Sequence, residues 1–142
     1  LMGCGSNCMG FYNFDENLAI CPFGVGATAG PGPITFITHP GSAFTSLLNL
    51  GKRMQYNLAV SAGQEIATTV AEYLDYALDL PTTRVAALFL ETIREPEKFE
   101  AALKKAQKRD IPVVAIKVGR MNSPSGMPRV SSLSSGAWTA CW

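Results

Sequence analysis

Residues 38–42 read Thr-His-Pro-Gly-Ser and follow directly on the apolar run Ile34-Thr35-Phe36-Ile37, so a strand passes through a turn of small residues into a helix start. Such a turn suits an anion. The first N–H groups of a helix have no partner within it, and the helix dipole adds positive potential at the same point. Gly41 and Ser42 are therefore the first candidates for binding phosphate; the plainer alternative is a βα loop in which Ser42 caps its helix. A second turn, Ser61-Ala62-Gly63-Gln64-Glu65, makes Gly63 and Gln64 further phosphate-binding candidates, with Glu65 expected as a favourable acid in the first turn of the next helix. Glu91 places a carboxylate at the end of a third apolar run, where pairing with Arg94 or Arg120 is the simplest expectation. His39 and Ser42 also raise the alternative of a small ester or thioester hydrolase, with Ser42 as nucleophile and His39 or Glu91 nearby as base. A serine nucleophile needs a base oriented by a third group, and no Gly-x-Ser-x-Gly elbow is present.

The elements that must position these residues are legible from residue 33 onward. Strands are expected at 34–38, 57–61, 84–90 and 111–118, the last with Pro112 at its start, where a missing donor is tolerated. Helices are expected over 43–53, with Phe44, Leu47 and Leu48 inward and Gly51 ending it early; after residue 65, with Ile66, Val70, Tyr73, Leu74 and Ala77 inward; and from Pro96, with Phe99, Ala102, Leu103 and Ala106 inward. Three successive strand-helix-strand units mean a parallel sheet with helices on both faces. The expected fold is a three-layer α/β, flavodoxin-like or Rossmann-like sheet of about four to five strands. Ligands of such sheets collect at the carboxyl ends of the strands, which is where the candidate residues fall.

Residues 1–32 are rich in Gly, Asn, Pro and Cys and read as an extended leading segment with one short strand near 18–21. Four Gly and two Pro in residues 24–33 place a boundary there, giving a domain over 33–120. Residues 121–142 hold six Ser and two late Trp without periodicity and read as an irregular tail.

Composition narrows the function classes. A net charge of +1, with the densest basic run (98–109) broken by acids and apolar residues, excludes a nucleic-acid surface. Cys4, Cys8, Cys21 and Cys141 are irregularly spaced and joined by a single histidine, so no metal site is expected and free thiols are. No apolar run approaches a membrane span and the first residues have no targeting pattern, so a cytoplasmic protein is expected.

Four segments in order, Gly5-Ser6-Asn7-Cys8-Met9-Gly10, 32–43, Ser61-Ala62-Gly63-Gln64-Glu65 and Leu88-Phe89-Leu90-Glu91-Thr92-Ile93-Arg94, resemble the NDP-forming acyl-CoA synthetases, relatives of the succinyl-CoA synthetase α subunit. The resemblance implies a fragment of a larger enzyme that joins an acyl group to coenzyme A at the expense of ATP or GTP through a phosphohistidine. Residues 5–10 then match the end of a CoA-binding domain, with Asn7 near coenzyme A, and 33–120 the first flavodoxin-like ligase domain. It further implies that Gly41 and Ser42 face the phosphohistidine or free phosphate and that Glu91 orients that histidine. With His39 from the hydrolase alternative, the candidate catalytic residues are Glu91, Ser42 and His39.

Two departures bear on activity. Where the family turn reads Ser-x-Ser-Gly, Pro40 replaces the second Ser and removes a backbone donor, weakening the expected phosphate site. Where the family continues into a Ser-His-x-Gly segment, residues 130–137 hold no histidine, and His39 stands in the wrong motif to replace it. The change after Arg120 points to a truncated or shifted reading frame. The expectation is a domain that binds phosphate, nucleotide or coenzyme A without completing ligation alone; the further alternative is a non-catalytic assembly module that pairs as a homo-oligomer through an uncovered apolar face.

Overall fold

The computed structural model describes residues 5–22, 24, 30–50 and 53–118. Cys4, Gly51, Gly119, Arg120, Cys141 and the Ser-rich segment 121–142 lie outside the described residues. The elements run β1 (Gly10–Asn13), β2 (Leu18–Ile20), β3 (Ile34–Thr38), α1 (Gly41–Leu48), β4 (Tyr56–Ser61), α2 (Val70–Asp79), β5 (Val85–Leu90), α3 (Pro96–Lys108) and β6 (Val113–Lys117). The sheet order is β2-β1-β4-β3-β5-β6. Strands β4, β3, β5 and β6 are parallel, while β1 pairs antiparallel with both β2 and β4.

The α/β flavodoxin-like class is borne out, with a six-stranded mixed sheet in place of a purely parallel one of four to five strands. The difference lies in residues 10–20: the short strand expected near 18–21 is present as β2, and an unexpected β1 pairs with it in a hairpin at the edge of the sheet. The four residues of β1 carry too little alternation to be read from sequence, and Asn17, at φ 52, supplies the left-handed residue the hairpin turn needs.

Two apolar layers hold the helices. On one face α2 and α3 bury Val70, Leu74, Ala77, Leu78, Ala102 and Ala106 against Ile37, Leu58, Val60, Ala86, Leu88 and Val113. On the other, Phe44 and Leu48 of α1 pack with Phe36, Tyr56, Ala59 and Tyr12. Burial raises the Tyr56 phenol above its ordinary range, and its hydroxyl donates to Leu47 O at 3.1 Å. On β6, Val114 and Ile116 remain exposed. Among the described residues no helix is long and apolar enough to cross a membrane.

Two helices start elsewhere than periodicity predicts. Helix α1 begins at Gly41 and ends at Leu48, ahead of Gly51. Helix α2 begins at Val70, so Ile66, expected inward, is 71% exposed. Thr69 precedes the helix; its N–H donates to Glu72 at 3.0 Å, and its hydroxyl donates to Glu95 at 2.9 Å. The first of these bonds, together with the Glu72 N–H donating back to the Thr69 side chain, is a capping box, and it overrides the apolar spacing of Ile66.

At the amino ends of the strands a polar cluster of buried Thr35, Asn57 and Thr83, joined by the exposed Thr82, fixes register. Asn57 Nδ2 donates to Thr83 at 2.7 Å and Thr82 at 3.0 Å, its Oδ1 accepts from Thr35 at 2.9 Å and from Leu58 N–H at 2.8 Å, and Thr83 donates to Ala77 O at 2.7 Å. Asn57→Ala would strand several buried partners and should destabilise the fold by roughly 2–4 kcal/mol, seen as a lower urea midpoint at unchanged slope. The Thr69 backbone N–H first, and then Lys98, hold Glu72 below the ordinary glutamate value of 4.5. A carboxylate lowered in this way stabilises the fold above its unfolded value and loses that contribution as pH falls through its folded one. Because Glu72 is partly solvated, its ionic share is about 0.5 kcal/mol or less. Unfolding titrations should therefore show Glu72→Gln less stable than the parent near about pH 7 and converging with it near about pH 3.

Candidate functional site

The carboxyl ends of β3, β4 and β5 lie side by side, with Thr38 in register with both Ser61 and Phe89. Past these ends the backbone stays bonded: Ala62 N–H donates to Thr38 O at 2.8 Å and His39 N–H to Phe89 O at 3.0 Å. Helix α1 leaves β3 on one face while α2 and α3 leave β4 and β5 on the other. Strand ends whose connections diverge in this way open a crevice.

His39 is buried in it, 4% exposed, with both ring nitrogens engaged. Nδ1 accepts the Glu91 N–H at 2.9 Å, and Nε2 lies 2.5 Å from Glu65 Oε1. A nitrogen that accepts a hydrogen bond carries no proton, so the network assigns the ring proton to Nε2, which donates it to the carboxylate. Glu65 is itself 5% exposed and sits in the left-handed region at φ 52. Its Oε1 also accepts the Val70 N–H at 3.1 Å, at the start of α2. Its Oε2 is buried without a hydrogen bond, with Arg94 Nε 3.8 Å away.

Two sequence expectations are corrected here. Glu65 is not a first-turn acid, because α2 starts at Val70; it is the buried partner of His39. Arg94 pairs with Glu65 and not with Glu91. The sequence signal for the first correction was the Thr69-x-x-Glu72 spacing, which puts the helix start beyond Glu65. Gly63 marks a left-handed turn here, but nothing in the sequence marks the left-handed conformation of Glu65 itself.

Beside the pair is a cavity of about 330 Å³ lined by Asn7, His39, Gly41, Ser42, Gly63, Gln64 and Glu91, together with Cys8, Met9 and Pro40. All the residues proposed from sequence are thus brought to one place, with unequal equipment. Pro40, extended at φ −68, is the residue before α1, and the first helical bond runs from Phe44 N–H to Pro40 O at 3.2 Å. Gly41, Ser42 and Ala43 precede that bond, no side chain caps them and no acid stands in the first turn. Ser42 is exposed and lies within the helix, so the expectation that it is the cap is overturned.

The second turn is different. Gln64 donates its N–H to Ser6 O at 2.9 Å, Ser6 Oγ donates to Gln64 Oε1 at 2.9 Å, and Met9 N–H donates to Ser61 Oγ at 3.1 Å. Gly63 and Gln64 therefore line the cavity from a turn that clamps residues 5–9, not from a helix start. This clamp carries Asn7, Cys8 and Met9 into the wall. His39 is not available as the base of a Ser42 hydrolase, since both its ring nitrogens are already bonded. Among the described residues no group of three or more His, Cys, Asp and Glu could hold a metal, and Cys8 and Cys21 are free thiols.

A family model described as the succinyl-CoA ligase like flavodoxin domain matches residues 31–139. The chain belongs to this family. Curated relatives are the α subunit of an ADP-forming acetate–CoA ligase II of Pyrococcus furiosus, 26% identical over 97% of this chain and 29% of its own length, and an ADP-forming acetate–CoA ligase of Methanocaldococcus jannaschii, 26% identical over 82% of this chain and 16% of its own. A trans-feruloyl-CoA synthase from an unknown prokaryote is 28% identical over 83% of this chain and 17% of its own length. A crystal structure of a Pyrococcus horikoshii protein superposes with a TM-score of 0.73 at 25% identity, covering 82% of this chain and 26% of that one. A Korarchaeum cryptofilum dinucleotide-forming acetyl-coenzyme A synthetase, determined with phosphate and ADP, shares the fold at a TM-score of 0.67 and 21% identity, over 80% of this chain and 25% of that one. This flavodoxin-like chain thus spans less than a third of the length of the curated relatives it matches.

The clamp in this succinyl-CoA ligase-like domain depends on Gly63. It is left-handed at φ 59, and a Cβ there would meet Ser6 O at 2.5 Å and Asn7 O at 2.8 Å. Gly63→Ala should cost roughly 2 kcal/mol of stability and, by lifting residues 5–9, speed labelling of the Cys8 thiol.

Proposed function

We propose that this chain supplies the phosphoryl-handling end of an NDP-forming acyl-CoA ligase. The observation that carries the reading is the uncapped start of α1, whose Gly41 and Ser42 line the same cavity as Glu91. Oriented N–H groups at a helix start stabilise the oxygens of a phosphoryl group without reorganising as its charge shifts. The Ser42 hydroxyl adds a donor, and the Glu91 carboxylate accepts from a protonated imidazole or phosphate oxygen brought against it. Asn7, on the clamped wall, is positioned to meet coenzyme A. Membership of the family, and relatives named as ADP-forming acetate–CoA ligases, support coenzyme A and ATP or ADP as the substrates of the complete enzyme, and a cytoplasmic setting.

The phosphorylated imidazole comes from another segment or subunit. The sequence holds one histidine, and its two nitrogens are committed to Glu91 and Glu65. In this reading the chain binds phosphate and does not complete acyl transfer by itself. Glu91 also opposes a free dianion, because a carboxylate in the same cavity repels it.

Titration of the full chain with inorganic phosphate tests the reading. Phosphate at about ten times its dissociation constant should raise unfolding free energy by ~1.4 kcal/mol and shift the Gly41, Ser42 and Ala43 amide resonances. Ser42→Ala should weaken binding, and Glu91→Gln should strengthen it about three- to tenfold by removing a like charge worth on the order of 1 kcal/mol. Saturating phosphate that leaves these amides unmoved would sink the assignment.

A further inference from the structure

We infer that His39 is a positioning residue for Glu91, and that Glu65 holds the His39 imidazole in the tautomer this requires. The inference deepens the phosphoryl-site reading above, on which it rests for its binding readout. Among the described residues no hydrogen bond or ion pair restrains the Glu91 carboxylate, so its direction is set by the path of its backbone as the chain leaves β5. The ladder between β5 and β6 ends at Leu90, whose carbonyl accepts from Val118 N–H at 2.8 Å. The next amide, that of Glu91, finds its acceptor in a side chain, His39 Nδ1 at 2.9 Å. Since His39 N–H also donates to Phe89 O at 3.0 Å, one residue of β3's end fastens β5 at positions 89 and 91.

The acceptor role is conditional on the tautomer. With the proton on Nδ1, two N–H groups would face each other and the Glu91 amide would lose its anchor. The Glu65 carboxylate, 2.5 Å from Nε2 and itself 1% exposed at the side chain, demands a donor there and excludes that arrangement. A second connection closes the circuit: Glu65 Oε2 faces Arg94 at 3.8 Å, three residues beyond Glu91. The segment 91–94 is thereby tied at both ends to a single buried pair.

Two substitutions separate positioning from simple stabilisation, because each keeps a different half of the imidazole's bonding. His39→Asn puts an amide oxygen near the place of Nδ1 and retains the acceptor for Glu91 N–H while losing Glu65. His39→Gln reaches Glu65 with its amide nitrogen and leaves the Glu91 N–H without an acceptor. Both lose a buried bond, and thermal unfolding will record a loss for each. The discriminating measurement is phosphate affinity of the full chain with and without Glu91→Gln in each background. The about three- to tenfold gain from Glu91→Gln should persist with His39→Asn and fall below about twofold with His39→Gln. Retention in both backgrounds, or loss in both, would overturn the positioning role.

Nitrogen-15 spectra of the imidazole and the Glu91 amide provide a readout that needs neither phosphate nor a folded variant. The parent chain should show a protonated Nε2, an unprotonated Nδ1 and a Glu91 amide protected from exchange. A proton on Nδ1, or a rapidly exchanging Glu91 amide, would overturn the inference even if phosphate binds. These signatures without any phosphate binding would support the pin while rejecting the phosphoryl-site reading.

Discussion

Parallel strands cannot be joined by hairpins, and connections of one hand that reverse their direction along a sheet have to change face. The chain runs from β3 to β4 through α1, then back past β3 to β5 through α2, and α1 accordingly lies on the opposite face from α2 and α3. Everything at the site follows from that change of face. The end of β3 becomes the one strand end flanked on both sides by connections that diverge from its own. It carries the turn with His39, Pro40, Gly41 and Ser42, and both neighbours bring their own strand ends to it in register.

The two ends of the sheet solve the same physical problem in different ways. Backbone and side-chain polar groups that emerge from an apolar sheet must find partners or remain in water. At the amino ends, Thr35, Asn57 and Thr83 bond one another in a neutral cluster, which specifies register without leaving charge behind. At the carboxyl ends the cluster is ionic: a buried carboxylate supported by an imidazole proton and the Val70 N–H, with its second oxygen lacking a hydrogen bond. Removing one partner of such a pair leaves an uncompensated buried group, so His39 and Glu65 depend on each other more than either depends on the apolar layers. Polar arrangements of this kind set direction, whereas the cores on either side set stability.

The leading segment shows how a flexible-looking sequence becomes part of a site. Residues 5–9 have no periodicity, yet they are held by Gln64 N–H, Ser61 Oγ and the close approach that Gly63 permits. Asn7 reaches the cavity because of that clamp. Its place beside Gly41 and Ser42 is a tertiary fact with no local cause.

The sequence by itself determined the strands from residue 34 on, the third helix with Pro96 at its start, the α/β class and the family, because apolar period, proline position and four ordered motifs are local properties of the chain. It also named His39, Gly41, Ser42, Gly63, Gln64 and Glu91, which line the cavity, since in a parallel sheet the carboxyl ends are known once the strands are; Asn7 came from the motif resemblance alone. It misplaced the start of α2, where the capping box at Thr69 outweighs the apolar spacing of Ile66, and of the edge hairpin it gave the second strand but not the first, which is too short to show alternation. What only the tertiary structure decided is the assignment of roles. Glu65 is 26 residues from His39 and turns inward through a turn in which it and Gly63 are both left-handed, while Glu91 meets His39 through its backbone and not its carboxylate. Hydrogen bonds between strand ends depend on the order of strands in the sheet, and that order is set by how the whole chain packs.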